Sequence, residues 1–176
     1  SMIAGLAQRY LARFGSTLEI DANLRPVLDG QVYAIVPQAD GRVVIGGSFS
    51  TVNGVSRNRI ARLNLDGSLD ESFDPVFSGG EVRVFAAQSD GKIIVAGYFG
   101  SVDGVACPGL ARLAADGAVD GTFSAPAEFG GSGVYALALQ SDGKVLVGGS
   151  FSSAAVGNRL TRLNSDGSVD SSFAIG

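Results

Sequence analysis

Several residue types are missing or scarce in this sequence, and each absence excludes a class of site. There is no histidine, which excludes histidine-dependent catalytic triads and histidine-ligated zinc. The single cysteine, Cys107, cannot form a disulfide within the chain and has no histidine to activate it as a nucleophile. No apolar run approaches the roughly 18 residues of a membrane-spanning helix. We therefore expect no catalytic residues, no cofactor and no membrane insertion.

Charge is also sparse in this chain. Charged residues make up 17% of the sequence, and the formal net charge is −4. Such a chain is not expected to bind nucleic acid or anionic membrane surfaces. Glycine is abundant, with 26 residues, and apolar residues make up 45% of the chain. That apolar content is typical of a folded protein rather than a disordered one.

Two sequence blocks recur three times in the same order. The first begins with Gln-x-Asp-Gly, continues through an apolar run and ends in Gly-x-Phe; it occupies Gln38–Phe49, Gln88–Phe99 and Gln140–Phe151. The second has the form Arg-Leu-x-x-Asp-Gly-x-x-Asp-x-x-Phe and occupies Arg62–Phe73, Arg112–Phe123 and Arg162–Phe173. The period of about 50 residues is that of kelch-type propeller blades.

The repeats predict the organisation of the chain. Residues 1–10 are interpreted as a tag remnant with an N-terminal segment, and residues 11–24 as a degraded half repeat. Residues 25–73, 74–123 and 124–176 form units 1, 2 and 3. The half repeat is supported by the alignment of Leu11–Phe14 with Ile60–Leu63. An amphipathic helix over residues 3–14 remains the alternative, because the apolar residues there also have helical spacing: Ile3, Leu6, Tyr10 and Phe14.

Each unit is predicted to contain four short antiparallel strands, because β-branched residues alternate between turn dipeptides. In unit 1 these are strand a (32–38), strand b (42–49), strand c (59–64) and a short strand d near 68–73. Asp-Gly dipeptides join a to b and c to d, and we interpret them as two-residue turns with positive φ at both positions. The longer b–c and d–a links then lie together at the opposite edge, where binding sites on rigid scaffolds usually occur.

These features predict an all-β fold, a β-propeller-like array of four-stranded antiparallel blades with three full repeats and a half repeat. A four-stranded meander cannot bury both faces alone, so neighbouring units must stack. A β-solenoid is the alternative, although its coils are usually shorter. Propellers have about 4–8 blades, so we expect an incomplete ring or a ring completed by oligomerisation. Self-association through the terminal blades is expected, with a twofold dimer preferred.

The two blocks together resemble the bacterial delta-60 β-propeller repeat family, over roughly residues 20 to 176. The resemblance implies a propeller-like domain of a large secreted or cell-surface bacterial protein, although no signal peptide is recognised in this sequence. It assigns no activity to particular residues. Unit 2 departs from the pattern at Ala114 and at residues 107–109, and unit 3 lacks two residues in its b–c link.

Two repeated motifs have both a functional and a structural interpretation. Asn64, Asp66 and Asp70 resemble part of a calcium loop, but Arg62 stands where the first acidic ligand belongs. A hairpin turn at Asp66, with Asp70 capping the next bend, is the favoured alternative. The repeat arginines are expected to pair with the last aspartate of the block in each unit, rather than to form a ring of donors for an anionic ligand: Arg62 with Asp70, Arg112 with Asp120, Arg162 with Asp170.

Ligand-binding residues are expected where the units differ at the long-loop edge. Polar side chains of the b–c links are the candidates: Asn53, Arg57, Asn58 and Arg59 in unit 1, Asp103 in unit 2, and Asn158 and Arg159 in unit 3. Such groups suit hydrogen bonding to a glycan or a polar peptide. Ordinary solvated loops explain them equally well.

Three classes of function follow, and the first is favoured. It is a non-catalytic module of a larger bacterial protein, acting in protein interaction, adhesion or assembly. The alternative is a carbohydrate- or peptide-binding propeller that uses the b–c and d–a links. A hydrolase or lyase is the third, but its candidate carboxylates share no spacing motif: Glu19, Glu71, Glu81 and Glu128.

Overall fold

The computed structural model describes residues 2–3, 6–7, 11–14, 21, 24–130, 133–153 and 155–173. Within this part of the chain, one short 3-10 helix, η1 (Ala127–Phe129), accompanies the strands. The strands are β1 (Met2–Ile3), β2 (Leu6–Ala7), β3 (Val32–Pro37), β4 (Val43–Gly47), β5 (Thr51–Val52), β6 (Val55–Ser56), β7 (Ile60–Leu63), β8 (Phe77–Ala87), β9 (Ile93–Val102), β10 (Val105–Ala106), β11 (Leu110–Leu113), β12 (Val134–Leu139), β13 (Val145–Ser153) and β14 (Gly157–Leu163). None of the helical structure in the described residues is long and apolar enough to cross a membrane.

Each unit contains an antiparallel sheet with strand b at its centre. The sheet orders are β3-β4-β7 in unit 1, β8-β9-β11 in unit 2 and β12-β13-β14 in unit 3. Strands a, b and c of unit 1 therefore lie where the alternating pattern predicts them. The all-β, antiparallel class expected from the sequence is confirmed.

The expected fourth strand is reduced to one bridge in each unit. Leu69 bridges Leu63 in unit 1, and the same bridge recurs in the other two units. The chain then leaves the sheet, because the Asp70 carboxylate accepts hydrogen bonds from the backbone N–H and the hydroxyl of Ser72. Such a local side-chain turn competes with the ladder hydrogen bonds of a longer strand.

The Asp-Gly hairpins also differ from the prediction. Gly41 N donates to Gln38 O at 3.0 Å, and Gln38 N donates to Arg42 O at 2.8 Å. Gly41 has a φ of 83°, whereas Asp40 is not among the residues with positive φ. This is a three-residue loop, a type I turn followed by a glycine bulge, rather than a two-residue turn. Asp40 stabilises it by accepting a hydrogen bond from Arg42 N.

The b–c links of units 1 and 2 are hairpins rather than open loops. β5 pairs with β6 in unit 1, and the end of β9 pairs with β10 in unit 2. We call these hairpins the arms (51–56 and 101–106). Both residues at each tip have positive φ, Asn53-Gly54 and Asp103-Gly104. The two-residue turn expected at the Asp-Gly hairpins occurs here instead.

The hydrophobic core lies between consecutive units, because strand b is buried on both faces. In unit 1, Val44 packs in the cluster shared with unit 2, and Ile45 packs towards the N-terminal segment. In unit 2, Val95 and Ile94 face units 1 and 3 in the same way. The stacking of neighbouring units expected from the sequence therefore produces successive layers of core.

The N-terminal segment repeats part of the unit geometry. Arg13 pairs with Asp21, with 2.6 Å between Nη2 and Oδ2, and also donates to the carbonyl of Leu65 at 2.9 Å. β1 and β2 pair as an antiparallel ladder, so these four residues are strand rather than the helix considered as an alternative. Residues 4–5 and 8–10 of that helix lie outside the described residues.

Candidate functional site: the open face of unit 3

The repeat arginine of unit 2 joins its own unit to the next. Arg112 Nε donates to Asp120 Oδ2 at 2.8 Å, as the sequence predicts. Arg112 Nη1 donates to the carbonyl of Ser165 in unit 3 at 2.7 Å. The guanidinium carbon lies 4.8 Å from the centroid of the Phe123 ring. One side chain therefore closes strand c onto the following bend and also fixes the next unit.

Unit 1 has the same arrangement. Arg62 Nε donates to Asp70 Oδ2 at 2.8 Å, and its Nη1 donates to the carbonyl of Ala115 in unit 2. Its guanidinium lies 4.6 Å from the Phe73 ring centroid. Two successive unit–unit junctions are thus built by the same donor reaching a backbone carbonyl of the next unit.

The aspartates of these pairs remain ionised well into the acid range. The Thr122 hydroxyl and the Lys92 ammonium lower the pKa of Asp120 far below its usual value. At Asp170 the Lys144 ammonium and the Ser172 hydroxyl have the same effect on the pKa. Burial acts to raise the pKa of Asp70, but the hydrogen bonds from Ser72 and Arg62 outweigh it, so the pKa is lowered.

The third unit keeps the pair but lacks the junction. Arg162 Nε donates to Asp170 Oδ2 at 2.7 Å. The Arg162 side chain is 21% exposed, against 8% for Arg112, because no later unit within the described residues covers it. Leu160 is 39% exposed, whereas its counterparts Ile60 and Leu110 are 0% and 1% exposed. The face that is an interior junction in units 1 and 2 is therefore a surface in unit 3.

This surface is concave. Its cavity has a volume of about 920 Å³ and is lined by both apolar and polar residues. We call it the open face and define it by the following lining residues: Phe151, Val156, Asn158, Arg159, Leu160 and Phe173. A site of this shape and mixed character suits a protein segment that offers apolar side chains and backbone acceptors.

The three adjacent candidates of unit 1 lie at the junction with unit 2. The Asn58 side-chain amide donates to the carbonyl of Phe77 at 2.9 Å, and Arg59 Nη1 donates to the carbonyl of Gly80 at 2.8 Å. Arg57 is buried and lies 3.4 Å from Asp74 Oδ2. These donors, predicted as ligand-binding, therefore hydrogen-bond the next unit of the same chain.

Asn53 and Asp103 occupy the tips of the two arms. Each accepts a 2.8 Å hydrogen bond through Oδ1 from a backbone N–H of the preceding link, Val27 for Asn53 and Val76 for Asp103. Each also donates its own backbone N–H to the carbonyl of the same valine. These two candidates therefore hydrogen-bond the tip of each arm to the preceding d–a link.

Asn158 and Arg159 are the predicted site residues that lie on the open face. Both are exposed, although they align with the partly buried Asn58 and Arg59. Arg159 has a φ of 62°, close to the 67° of Arg59, so the backbone has the same conformation at both positions. Asn158 Oδ1 accepts from the Ser152 hydroxyl at 2.6 Å. No partner for the Arg159 guanidinium occurs among the described residues.

The calcium candidates are held by other groups. Asp66 Oδ1 accepts from the N–H of Ser68 at 2.9 Å and from its hydroxyl at 2.7 Å, which lowers the pKa of Asp66. Asn64 also donates to the Ser68 hydroxyl, while Asp70 binds Arg62. No group of three or more histidine, cysteine or acidic side chains with metal-site geometry occurs in the described part of the chain.

The non-repeated acids lie on different segments. Glu71 is exposed after the bridge of unit 1, Glu81 lies on β8 and Glu128 lies in η1. Glu81 Oε2 forms an ion pair with Arg83 Nη2 at 2.6 Å. Glu19 lies outside the described residues.

Sequence reasoning missed the functional meaning of Leu160 and Arg162. Both were visible as repeat positions, since Leu160 aligns with Ile60 and Arg162 with Arg62. A position that is apolar in every unit indicates a junction, and Leu160 is its last occurrence among the described residues. The signal for the open face is therefore the apolar residue that all three units share at this position.

Comparisons with curated proteins, solved structures and protein-family models show what the chain is similar to. No curated protein matches the chain in sequence. Among solved structures, the chain is similar to virginiamycin B lyase from Staphylococcus aureus, with 18% identity and a TM-score of 0.47. The match covers 83% of this chain and 43% of the lyase chain, so this chain spans less than half of that protein. A family model described as "Domain of unknown function (DUF5122) beta-propeller" matches residues 38–73, 88–123 and 140–173, more than half of the sequence. This chain therefore belongs to the DUF5122 beta-propeller family.

Proposed function

We propose that this domain is a non-catalytic interaction module whose open face docks another propeller blade, supplied by a second copy of the chain. One observation carries the proposal. The corresponding face is buried by the next unit at both junctions inside the chain, yet unit 3 presents it uncovered, with Leu160 at 39% exposure. An uncovered blade face of this kind invites association with another chain.

The in-chain junctions indicate what the open face would bind. At the junction of units 1 and 2, Asn58 and Arg59 each bind a backbone carbonyl of β8. Asn158 and Arg159 carry the same side chains on the open face. Because both acceptors are backbone groups, the occupant needs the fold of a blade edge rather than a particular side-chain sequence.

A second copy offers a matching surface at its N-terminal end. Ile35 on β3 is 52% exposed, whereas its counterpart Phe85 on β8 is 9% exposed, since Phe85 packs against Gly46 of unit 1. The chain therefore has an uncovered apolar position at each end of the stack. Two copies related by a twofold axis would place each open face against the N-terminal end of the other.

The wider role follows from the resemblance to the bacterial delta-60 repeat. It favours a place within a larger secreted or cell-surface protein, where blade-on-blade docking would serve assembly or adhesion. The contacts at the equivalent junction of units 1 and 2 support a protein occupant for the open face. They suit neither nucleic acid nor an anionic membrane, in keeping with the net charge of −4.

Sedimentation velocity over a range of protein concentrations tests the proposal. We expect a dimer that the Leu160→Asp variant converts to a monomer, because a charge on the open face would be buried without a partner. Val105→Asp is the matched control, since Val105 is exposed on the arm of unit 2 and should leave the dimer intact. Circular dichroism establishes that both variants are folded. A parent chain that stays monomeric at every concentration would contradict the proposal.

A further inference from the structure

Three of the four tyrosines of the chain meet on one exposed surface. Tyr33 lies on β3, Tyr98 on β9 and Tyr135 on β12, so each unit contributes one ring. Arg83 on β8 stands between two of them, with its guanidinium carbon 5.2 Å from the centroids of both Tyr33 and Tyr98. We define the tyrosine patch as these four residues together with Glu81.

Hydrogen bonds hold the patch in one arrangement. The hydroxyls of Tyr98 and Tyr135 are 2.6 Å apart, and their ring centroids are separated by 6.4 Å. Arg83 Nη2 donates to Glu81 Oε2 at 2.6 Å, and the Tyr33 hydroxyl lies 3.4 Å from Glu81 Oε1. Rings and ion pair are therefore oriented before any ligand arrives, which lowers the entropic cost of binding.

A glycine makes room for the hydroxyl pair. A Cβ at Gly133 would lie 2.6 Å from the hydroxyl oxygens of both Tyr98 and Tyr135. Gly133 also has a φ of 67°, a conformation that other residues rarely adopt. The backbone of unit 3 is thus shaped around the tyrosine hydroxyls.

The fold does not account for the composition of the patch. Tyr33, Arg83 and Tyr135 occupy the same position of strand a in the three units, and Tyr98 stands where the other units have Ser48 and Ser150. Positions that serve the repeat, such as the Arg–Asp pair, hold the same residue types in every unit. The rings are also far from buried: Tyr33 is 38% and Tyr135 51% exposed. An ordered, exposed aromatic cluster that the repeat itself does not require is the kind of surface that binds a partner.

We propose that the tyrosine patch binds a neutral carbohydrate chain. The C–H face of a sugar ring packs against exposed aromatic rings, while its hydroxyls need donors and acceptors at the same spot. Arg83 supplies N–H donors, and Glu81 and the tyrosine hydroxyls supply acceptors. Because Glu81 already neutralises Arg83, the patch has no net charge to favour a phosphate, a sulfate or a cationic ligand. The row of rings across three units suits several sugar residues in succession.

The chain provides its own optical probe for this binding. It has no tryptophan, so its emission comes from four tyrosines, three of them in the patch. Titration with cellohexaose, chitohexaose, mannohexaose and xylohexaose is expected to give a saturable change in tyrosine emission with at least one of them. Isothermal titration calorimetry on the same sugar gives the affinity. Polygalacturonate serves as the anionic comparison and is expected to bind more weakly.

Variants connect the signal to the patch. Arg83→Ala and Tyr135→Ala are each expected to weaken binding about tenfold or more, because each removes hydrogen bonds or stacking in an ordered site. Tyr98→Phe keeps the ring and is expected to cost less. Val105→Ala is the control, because Val105 is exposed on the arm and lies outside both the tyrosine patch and the open face, and this variant should bind the sugar as the parent does. The proposal is overturned if none of the neutral sugars binds, if polygalacturonate binds more tightly, or if the patch variants bind as well as the parent.

Discussion

Units 2 and 3 are built from the same motifs but have different neighbours. Unit 2 lies between two units, whereas unit 3 is covered on one side only. Their internal structure is the same: Arg112 and Arg162 bind Asp120 and Asp170 at 2.8 and 2.7 Å. The difference lies at the far face, where Leu110 is buried and Leu160 is exposed. A unit therefore completes its own turns and ion pair, while its outer face depends on the next unit, as expected of quasi-one-dimensional repeat proteins.

Acid should have the largest effect on stability, because it acts on the Arg–Asp pair that all three units share. The pKa values of the paired aspartates are lowered in the folded state: Asp70, Asp120 and Asp170. Their stabilising contribution is thus present above the unfolded pKa of about 3.9 and is lost as the pH falls through the lower folded values. We expect the melting temperature to change little between pH 8 and 5, since there is no histidine, and to fall steadily below about pH 4. Melts followed by circular dichroism check this; an unchanged midpoint at pH 2 would contradict it.

Removing the repeat arginine should destabilise the protein more in unit 2 than in unit 3. Arg112→Ala leaves Asp120 without its buried partner and the Ser165 carbonyl without a donor, so we expect a loss of about 3–5 kcal/mol in the free energy of unfolding. Arg162→Ala at the more exposed site should cost about 1 kcal/mol. Urea denaturation of both variants gives the comparison. Equal losses would mean that the junction contributes nothing beyond the internal pair.

Gly46 in unit 1 and Gly148 in unit 3 occupy the same position of strand b, and replacing each by alanine compares a covered unit with unit 3 through packing. A Cβ at Gly46 would lie 2.5 Å from Cζ of Phe85 in unit 2, whereas at Gly148 it would meet Ala136 Cβ at an ordinary 3.5 Å. We expect Gly46→Ala to cost about 1–3 kcal/mol through overpacking. Gly148→Ala should stay within about 0.5 kcal/mol of the parent, because no following unit presses on it. A large loss in both variants, measured by urea denaturation, would point to a cause inside the unit.

The smallest difference is expected at the side-chain amide beside the junction. Asn58→Ala leaves the Phe77 carbonyl without its donor, and we expect a loss of about 1 kcal/mol. Asn158→Ala on the open face should have almost no effect on the monomer. Thermal melts at low protein concentration, where a dimer would dissociate, check the pair. A larger loss at Asn158 than at Asn58 would reverse the comparison.

Local signals in the sequence predict much of the fold. Alternation over 32–38 locates β3, and the apolar run after Asp40-Gly41 locates β4. The arm of unit 1 was also open to prediction, because Asn53-Gly54 between two valines is a strong hairpin signal. The shortened strand d was less accessible. It depends on whether Asp70 bonds its own backbone or leaves the ladder intact, and propensity alone does not decide that competition.

The candidate sites depend on contacts between distant residues, and their prediction is correspondingly poorer. Arg59 and Arg159 sit in equivalent loops, yet one binds Gly80 and the other lies exposed, according to whether a unit follows. The tyrosine patch is harder still, because its rings come from three different units. Periodicity predicts which residues each strand exposes, but the spacing between stacked units decides which of them meet.

The reach of the repeat arginine has a consequence for synthesis on the ribosome. Arg112 binds a carbonyl 53 residues later in the chain. Translation proceeds at roughly 5–20 residues per second, so this contact has to wait some seconds after the arginine emerges. During that interval a newly made unit exposes the same apolar face that is exposed on unit 3. Nascent units are therefore expected to dock in the order in which they are synthesised, and each new unit covers the exposed face of the one before it.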